Sequence, residues 1–562
     1  MDLLAYDPAS GYAEVYKEQF ASAAEAYFDS AVEKAHIDPQ ANAELAAAIR
    51  KLQSRKESSS TKKGWWTFLL VLLIIALSVY AIYLFCNLSE EEKVFHWGIF
   101  ILFALGAIAL TIFKIAPAIS RLKKELDQLK KELSEKYGAA RTQLAPLYAS
   151  FTWTTLTDLI SSVIGPLKFD EFLSNELLRD LRENFGFSLE DEPDSTVTGA
   201  YSGTFYGYPF VFTEDISFAW TEKVWTGYLT ITYNERITDL QGKTRYVTRT
   251  QILSATVTKP APDFTKHRNF FFGHDSAPRL SFSRTPSSLS GGEGFWHGLS
   301  KKYQLRKLRK FEQNLTDESQ YTMVANHDFE VLFRSENRDN EVEFRLLYTP
   351  LAQQYMVKLL NDKEAGYGDD FAYFKHGTIT RIASRHLNGT SLSDPPFRSD
   401  NFDLKEIRKT FLENSAEFFR SIYFTFAPLF LVPEYNVPRL NSSEESDFSS
   451  ISPSEIEGAA YCFGQHFAHG KSITDNIFNV SSYDCQEGVI HAVIEAIGFS
   501  GIEHVDYVPV WGGDGRWHNV PVPWVEYSEV VRHTPVEVWK EKELPPKKKP
   551  LFRRRGIAFV KG

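Results

Sequence analysis

Trp65-Trp66-Thr67-Phe68-Leu69-Leu70-Val71-Leu72-Leu73-Ile74-Ile75-Ala76-Leu77 is the stretch around which this chain is organised, and it stays apolar to about Leu88. The patch Ser89-Glu90-Glu91-Glu92-Lys93 interrupts it, and a second apolar run follows from Val94 to Phe113. Each run is close to the roughly 20 residues a helix needs to cross a ~30 Å hydrocarbon core. Neither holds a formal charge in its middle. Trp65 and Trp66 stand at one end and Trp97 opens the second run, where interfacial aromatics belong. Residues 64–117 therefore read as a transmembrane hairpin. The competing expectation is a pair of buried core helices, but two such runs side by side are rare in soluble domains.

The flanks predict orientation. Arg50, Lys51, Arg55, Lys56, Lys62 and Lys63 precede the first run, and Lys114, Arg121, Lys123, Lys124, Lys130 and Lys131 follow the second. The connection between them offers only Lys93. Lys and Arg collect on the cytoplasmic side, so both termini are expected in the cytoplasm of a multi-pass protein of the cell membrane. A cleaved signal peptide is not expected, because the apolar run begins beyond residue 60.

Composition sets further bounds. The 562 residues include 44 Phe, and 43% are hydrophobic, so a sizeable core is available and global disorder is excluded. A net charge of -10 argues against bulk nucleic-acid binding. Only three cysteines are present, Cys86, Cys462 and Cys485, which fits a reducing compartment without a disulfide framework.

Residues 1–63 read as a helical arm. Tyr12, Val15, Tyr16, Phe20, Ala23 and Tyr27 share one helical face, and Asp38-Pro39 opens a second helix. Glu57-Ser58-Ser59-Ser60-Thr61 reads as a polar linker. Residues 118–190 read as a helical stalk. Ile115, Ile119, Leu122, Leu126, Leu129 and Leu133 form a heptad seam about three heptads long. The seam either makes a homodimer or packs against the arm of its own chain, and both alternatives stay open here.

Residues 191–400 read as an antiparallel, β-rich cytoplasmic domain. Thr196–Phe205, Gly207–Phe212, Gly227–Tyr233 and Tyr246–Val257 are rich in β-branched and aromatic residues at period two, with a turn at Gln241-Gly242-Lys243. Pro260 to Pro286 reads as irregular, and Ser287 to Gly298 as a Gly/Ser-rich loop. Lys301, Lys302, Arg306, Lys307, Arg309 and Lys310 lie on a strongly basic helix, a candidate contact for anionic lipid headgroups or a solvated face. Residues 401–440 read as a helix and linker. Residues 441–540 read as a small α+β unit with helices over Ile456–Phe467 and Cys485–Ile497. Residues 541–562 read as a basic tail whose Lys547, Lys548, Lys549, Arg553, Arg554 and Arg555 are a second candidate membrane-surface contact.

The order of parts, Phe329 and Phe333, the run Arg345-Leu346-Leu347-Tyr348-Thr349-Pro350 and the aromatic hairpin at Phe371–Ala383 carry a resemblance. Together with Gly203-Thr204-Phe205 and Pro209-Phe210-Val211-Phe212, they resemble a bacterial family of uncharacterised two-helix membrane proteins with a helical stalk and a β-rich domain. The resemblance covers about residues 65–385 and implies no catalytic residue and no cofactor.

One cluster has ligand-type residues: Cys462, His466, His469 and Cys485, with His491 nearby. Zinc takes two Cys and two His in a tetrahedron, but this spacing matches no tight pairing, and small core cysteines with ordinary histidines explain it as well. Gly291-Gly292-Glu293-Gly294 lacks the Lys-Ser/Thr of a phosphate loop. The expectation is therefore an α+β membrane protein whose cytoplasmic domains bind a protein partner or anionic lipid. The alternative is a tethered enzyme with a metal- or thiol-dependent site in the C-terminal unit.

Overall fold

The computed structural model describes residues 6–87, 90–187, 195–238, 244–292, 295–314, 321–390, 401–439, 451–486 and 488–562. The fold is α+β, with antiparallel sheets and two long apolar helices. The chain divides into two compact units, Ala24–Thr152 with Phe397–Asn414, and Met1–Ala23 with Trp153–Pro396 and Ser415–Gly562.

The first unit is helical. The helix Pro39–Asn87 runs through the expected linker Glu57–Thr61 without a break, so that segment is not a linker. Its polar side chains lie on solvent or on a neighbouring helix; Ser59, for example, donates to Glu125 Oε1 at 3.1 Å. Glu90–Leu110, a π turn at Thr111–Ile115 and Ala116–Ser150 follow. At the π turn the Ala116 N–H bonds Thr111 O, five residues back, just before Pro117, whose ring disturbs the ordinary ladder. Two helices here are long and apolar enough to cross a membrane. Their large apolar side chains are exposed, among them Phe68, Ile75, Ile82, Leu102 and Phe113, so these are not core helices of the unit. Leu88 and Ser89, within the expected connection of the hairpin, and the side chains of Cys86 and Trp97 lie outside the described residues.

The heptad seam packs within the chain. Leu126, Leu129 and Leu133 are buried, and Ala116–Ser150 runs antiparallel beside Pro39–Asn87. Gln53 Nε2 donates to Tyr137 OH at 2.8 Å and Asn42 Nδ2 to Gln143 Oε1 at 3.2 Å, farther along the same pair. Of the two alternatives for the seam, the intramolecular one is realised. The stalk also ends earlier than residue 190: Thr155–Val163 and Asn175–Phe185 belong to the second unit.

The second unit holds two antiparallel sheets. The first has the order β1 (Leu167–Phe169), β2 (Ser195–Phe205), β3 (Tyr208–Thr238), β4 (Thr244–Gly273), then β7 (Ile379–Ser384), β6 (Phe371–His376) and β5 (Ser281–Arg284). Phe205, Phe210, Phe212, Phe270 and Phe272 are buried on one face of it, against Phe426 of the helix Leu404–Phe430. The hairpin at Phe371–Ala383 forms as expected, with Gly377 at φ +57° in its turn. The turn at Gln241–Lys243 lies outside the described residues, but Thr238 pairs Thr244 across it.

The second sheet has the order β11 (Phe552–Arg554), β12 (Ile557–Lys561), β10 (Trp517–Lys540), β9 (Val489–Trp511) and β8 (Ile477–Gln486). The helix Pro453–Cys462 covers it through Ile456, Ala459 and Ala460, on Ile490, Ile494, Val538 and Phe559. Three expectations are corrected. Cys485 and Gln486 end β8 and Val489–Ile497 belongs to β9, so the expected helix is replaced by strands; Ile490, Ala492, Ile494 and Ala496 are buried at strict period two. Pro260–Gly273 is strand, not irregular. Among the described residues β4 has β3 on one side only between 244 and 269, and Pro260 and Pro262, which carry no N–H, suit such an edge and blunt it against foreign strands. Residues 552–561 form a hairpin that closes the sheet rather than a free tail, with Arg555 (φ +49°) and Gly556 (φ +70°) in its turn.

The β3–β4 and β9–β10 ribbons pack face to face. Ile231, Leu253, Ala255, Val520 and Val522 form their own core. At 31 residues β3 spans about 100 Å at ~3.3 Å per residue. Gly227 permits the close approach: a Cβ there would lie 2.0 Å from Pro521 O.

Candidate functional site

The basic helix Phe295–Gln313 is held to its unit by one side. Leu308 is buried, Phe311 meets Tyr321 edge-on at 5.5 Å, and Met323 N–H donates to Glu312 Oε1 at 2.9 Å. The other side presents Lys302, Arg306, Lys307, Arg309 and Lys310 to solvent, while Lys301 is half-buried. Lys302 and Arg306, and Arg306 and Lys310, are four residues apart. Such like-charge pairs cost ~0.2–0.5 kcal/mol each. Among the described residues no carboxylate pairs with Lys302, Arg306, Lys307 or Arg334.

A cavity of about 730 Å³ opens against this helix. Lys302, Arg306, Lys307 and Arg334 line it, together with Ser287, Ser288 and Ser300. Leu289, Leu299 and Tyr303 give it an apolar wall, and among the described residues no carboxylate lines it. Repulsion among the four cations falls when an anion enters, because each gains an opposite charge without leaving water.

The floor is rigid. Arg284 is fully buried and forms a 2.6 Å ion pair with Asp369 Oδ1; it also donates to Phe333 O at 3.0 Å and Phe371 O at 2.8 Å. Asp369 Oδ2 accepts from Ser287 N–H at 2.8 Å and Ser290 Oγ at 2.7 Å, which fixes the loop bearing the lining serines. Burial pulls the Arg284 guanidinium below its ordinary value; Asp369 opposes this, and the charge of Arg334 adds to the lowering.

Arg334 is placed by a short helix, His327–Phe333, which Asn326 caps through Phe329 N–H at 3.1 Å. Arg334 closes that helix in the left-handed region, at φ 57° and ψ 67°. Beneath it, Glu330 accepts from Arg338 Nη2 at 2.7 Å and Val324 N–H at 2.8 Å. Arg338 also bonds Glu341 Oε2 at 2.7 Å and lies over the rings of Tyr321 and Phe344.

The other expected site residues are not gathered. Cys462 ends its helix and is exposed, and Cys485 is exposed near the end of β8. His466 stacks on Phe552 with centroids 6.0 Å apart, and His469 Nδ1 accepts from Lys471 N–H at 3.2 Å. Among the described residues no three His, Cys, Asp or Glu side chains are placed to hold a metal. The C-terminal cations are largely engaged internally. Lys548 pairs with Glu537, Arg553 with Glu541 at 3.1 Å, and Arg554 donates to Thr198 O at 3.3 Å. Arg555 is buried between Glu455 and the rings of Trp153 and Tyr201. Only Lys547 and Lys549 of that group remain exposed without an ion pair to a described residue.

Sequence reasoning found the cations of the helix but missed Arg334, Ser287, Ser288 and Ser300. Ser287 and Arg334 lie 47 positions apart in the chain, and no local pattern marks these segments as neighbours. The chain matches no protein-family model, no curated protein and no solved structure.

Proposed function

We propose that the chain is an integral membrane protein with both termini cytoplasmic, and that its β-rich unit binds anionic lipid headgroups through the helix Phe295–Gln313. The observation that carries the membrane part is the row of exposed large apolar side chains along both apolar helices, from Trp65 to Ile82 and from Ile101 to Phe113. Left in water, such a surface would aggregate; in hydrocarbon it is matched. The flanking cations support the orientation. A relation to the two-helix bacterial family is part of this proposal and rests on the order of parts read from the sequence.

The lipid part rests on the cations of the basic helix that have no carboxylate partner among the described residues. A tether to the bilayer raises the local concentration of headgroups, so weak contacts suffice. Each exposed cation near an anionic surface adds ~1 kcal/mol. The C-terminal cations contribute little, because most already have carboxylate or carbonyl partners. A platform for protein partners is the second reading; exposed Tyr507, Trp511 and Trp517 on β9 and β10 favour it.

Carbonate extraction tests the first part, and retention in the membrane pellet is the expected result. A photo-activatable anionic lipid tests the second: crosslinks are expected in Phe295–Gln313. Crosslinks confined to the segment beyond Pro545 would refute the assignment to the basic helix.

A further inference from the structure

We infer that the cavity beside the basic helix is a binding site for a phosphate monoester, gripped by Lys302, Arg306, Lys307 and Arg334. This deepens the anionic-lipid reading and rests on it for the lipid as one source of the group. A carboxylate or phosphodiester brings one negative charge, whereas a monoester carries about −1.5 to −2 at neutral pH with three acceptor oxygens. Four cations around a lining that holds no carboxylate among the described residues match the larger charge. Arg306 and Arg334 come from different segments, and guanidinium forks hold phosphate oxygens two at a time.

Serine hydroxyls supply the remaining donors. Ser287 is pre-positioned, because its N–H is fixed to the buried Asp369 and its Oγ accepts from Leu289 N–H at 3.2 Å. Leu289, Leu299 and Tyr303 would be idle around a bare inorganic ion. Beside the cations they fit the carbon portion of an esterified phosphate. A lipid headgroup with a terminal phosphate and a soluble phosphorylated metabolite share this chemistry.

The test uses the full chain in detergent. The probes are dioctanoyl phosphatidic acid, dioctanoyl phosphatidylserine, glycerol 3-phosphate and inorganic phosphate, titrated calorimetrically. Phosphatidic acid is expected to bind at least about tenfold tighter than phosphatidylserine. Arg306→Gln and Arg334→Gln should each weaken it by about tenfold, as for a lost charge-assisted pair. Lys301→Gln and Lys310→Gln, on the same helix but outside the cavity, should weaken it less than either cavity variant does. Phosphatidic acid well above glycerol 3-phosphate assigns the lipid source, and parity between them assigns the soluble one; either result supports the site. Equal losses from cavity and off-cavity variants overturn the cavity while leaving the general surface reading intact. Phosphatidylserine binding as tightly as phosphatidic acid overturns the monoester. Failure of all four probes to bind overturns both the site and the anionic-lipid reading.

Discussion

Arg334 combines strain with charge. A non-glycine residue in the left-handed region costs roughly 1–2 kcal/mol, and Arg334 sits there at φ 57°. Arg334→Gly should relieve that cost while removing a cation of the cavity. Thermal unfolding should show unchanged or higher stability, by up to about 1 kcal/mol, and titration should show weaker phosphate-ester binding. Loss of both together would mean that Arg334 is structural. Lys375 poses a different residue-scale problem. It is buried on β6, donating to Gly377 O at 2.7 Å and Ser276 O at 3.2 Å, and burial, opposed by Glu343, pulls its ammonium from 10.5 down to about 7. The folded state therefore binds fewer protons than the unfolded chain between about pH 7 and 10.5. Stability from this group rises with pH across that window, and the penalty is fully present below pH 7. Lys375→Met should thus raise the melting temperature more at pH 6.5 than at pH 9.5. A gain independent of pH would refute the assignment.

At the scale of elements, the ribbons depend on close backbone contact. Alanine at Gly227 would place a Cβ 2.0 Å from Pro521 O and 2.7 Å from Val522 Cα, so the two ribbons must separate. Gly227→Ala should cost about 1–3 kcal/mol in urea denaturation. Gly138→Ala, in the helix Ala116–Ser150 with open space around it, should gain about 0.5–1 kcal/mol. The helix that carries Arg334 depends on Arg338. Arg338→Met leaves Glu330 buried without its cation and should cost about 3–5 kcal/mol. The elements most legible in the sequence were those with one unambiguous period. The apolar runs and the hairpin at Phe371–Ala383 form where expected. Cys485–Ile497 was ambiguous because Ala492, Glu495 and Ala496 are good helix formers; its β-branched positions and alternate burial won once a sheet stood beside them.

At the scale of the whole molecule, the proposed topology places the exposed Cys462 and Cys485 in the cytoplasm. An impermeant maleimide applied to intact cells should leave both unmodified and label Ser89→Cys; after lysis Cys462 and Cys485 should react. Labelling of Cys485 in intact cells would reverse the orientation. Neither cysteine lies in the cavity, so their modification after lysis should leave phosphate-ester binding unchanged.

The sequence by itself determined the two apolar helices, the α+β class and the cations of Lys301–Lys310, because each follows from composition or period within one segment. Tertiary structure decided which cations are available. Arg555 and Lys302 look alike in sequence, yet Arg555 is buried against Glu455 while Lys302 lies on solvent. It also decided that the heptad seam is filled by the chain's own Pro39–Asn87, and that Ser287, Arg306 and Arg334 share one cavity. Such neighbourhoods are set by long-range packing and buried ion pairs, whose partners no local pattern names.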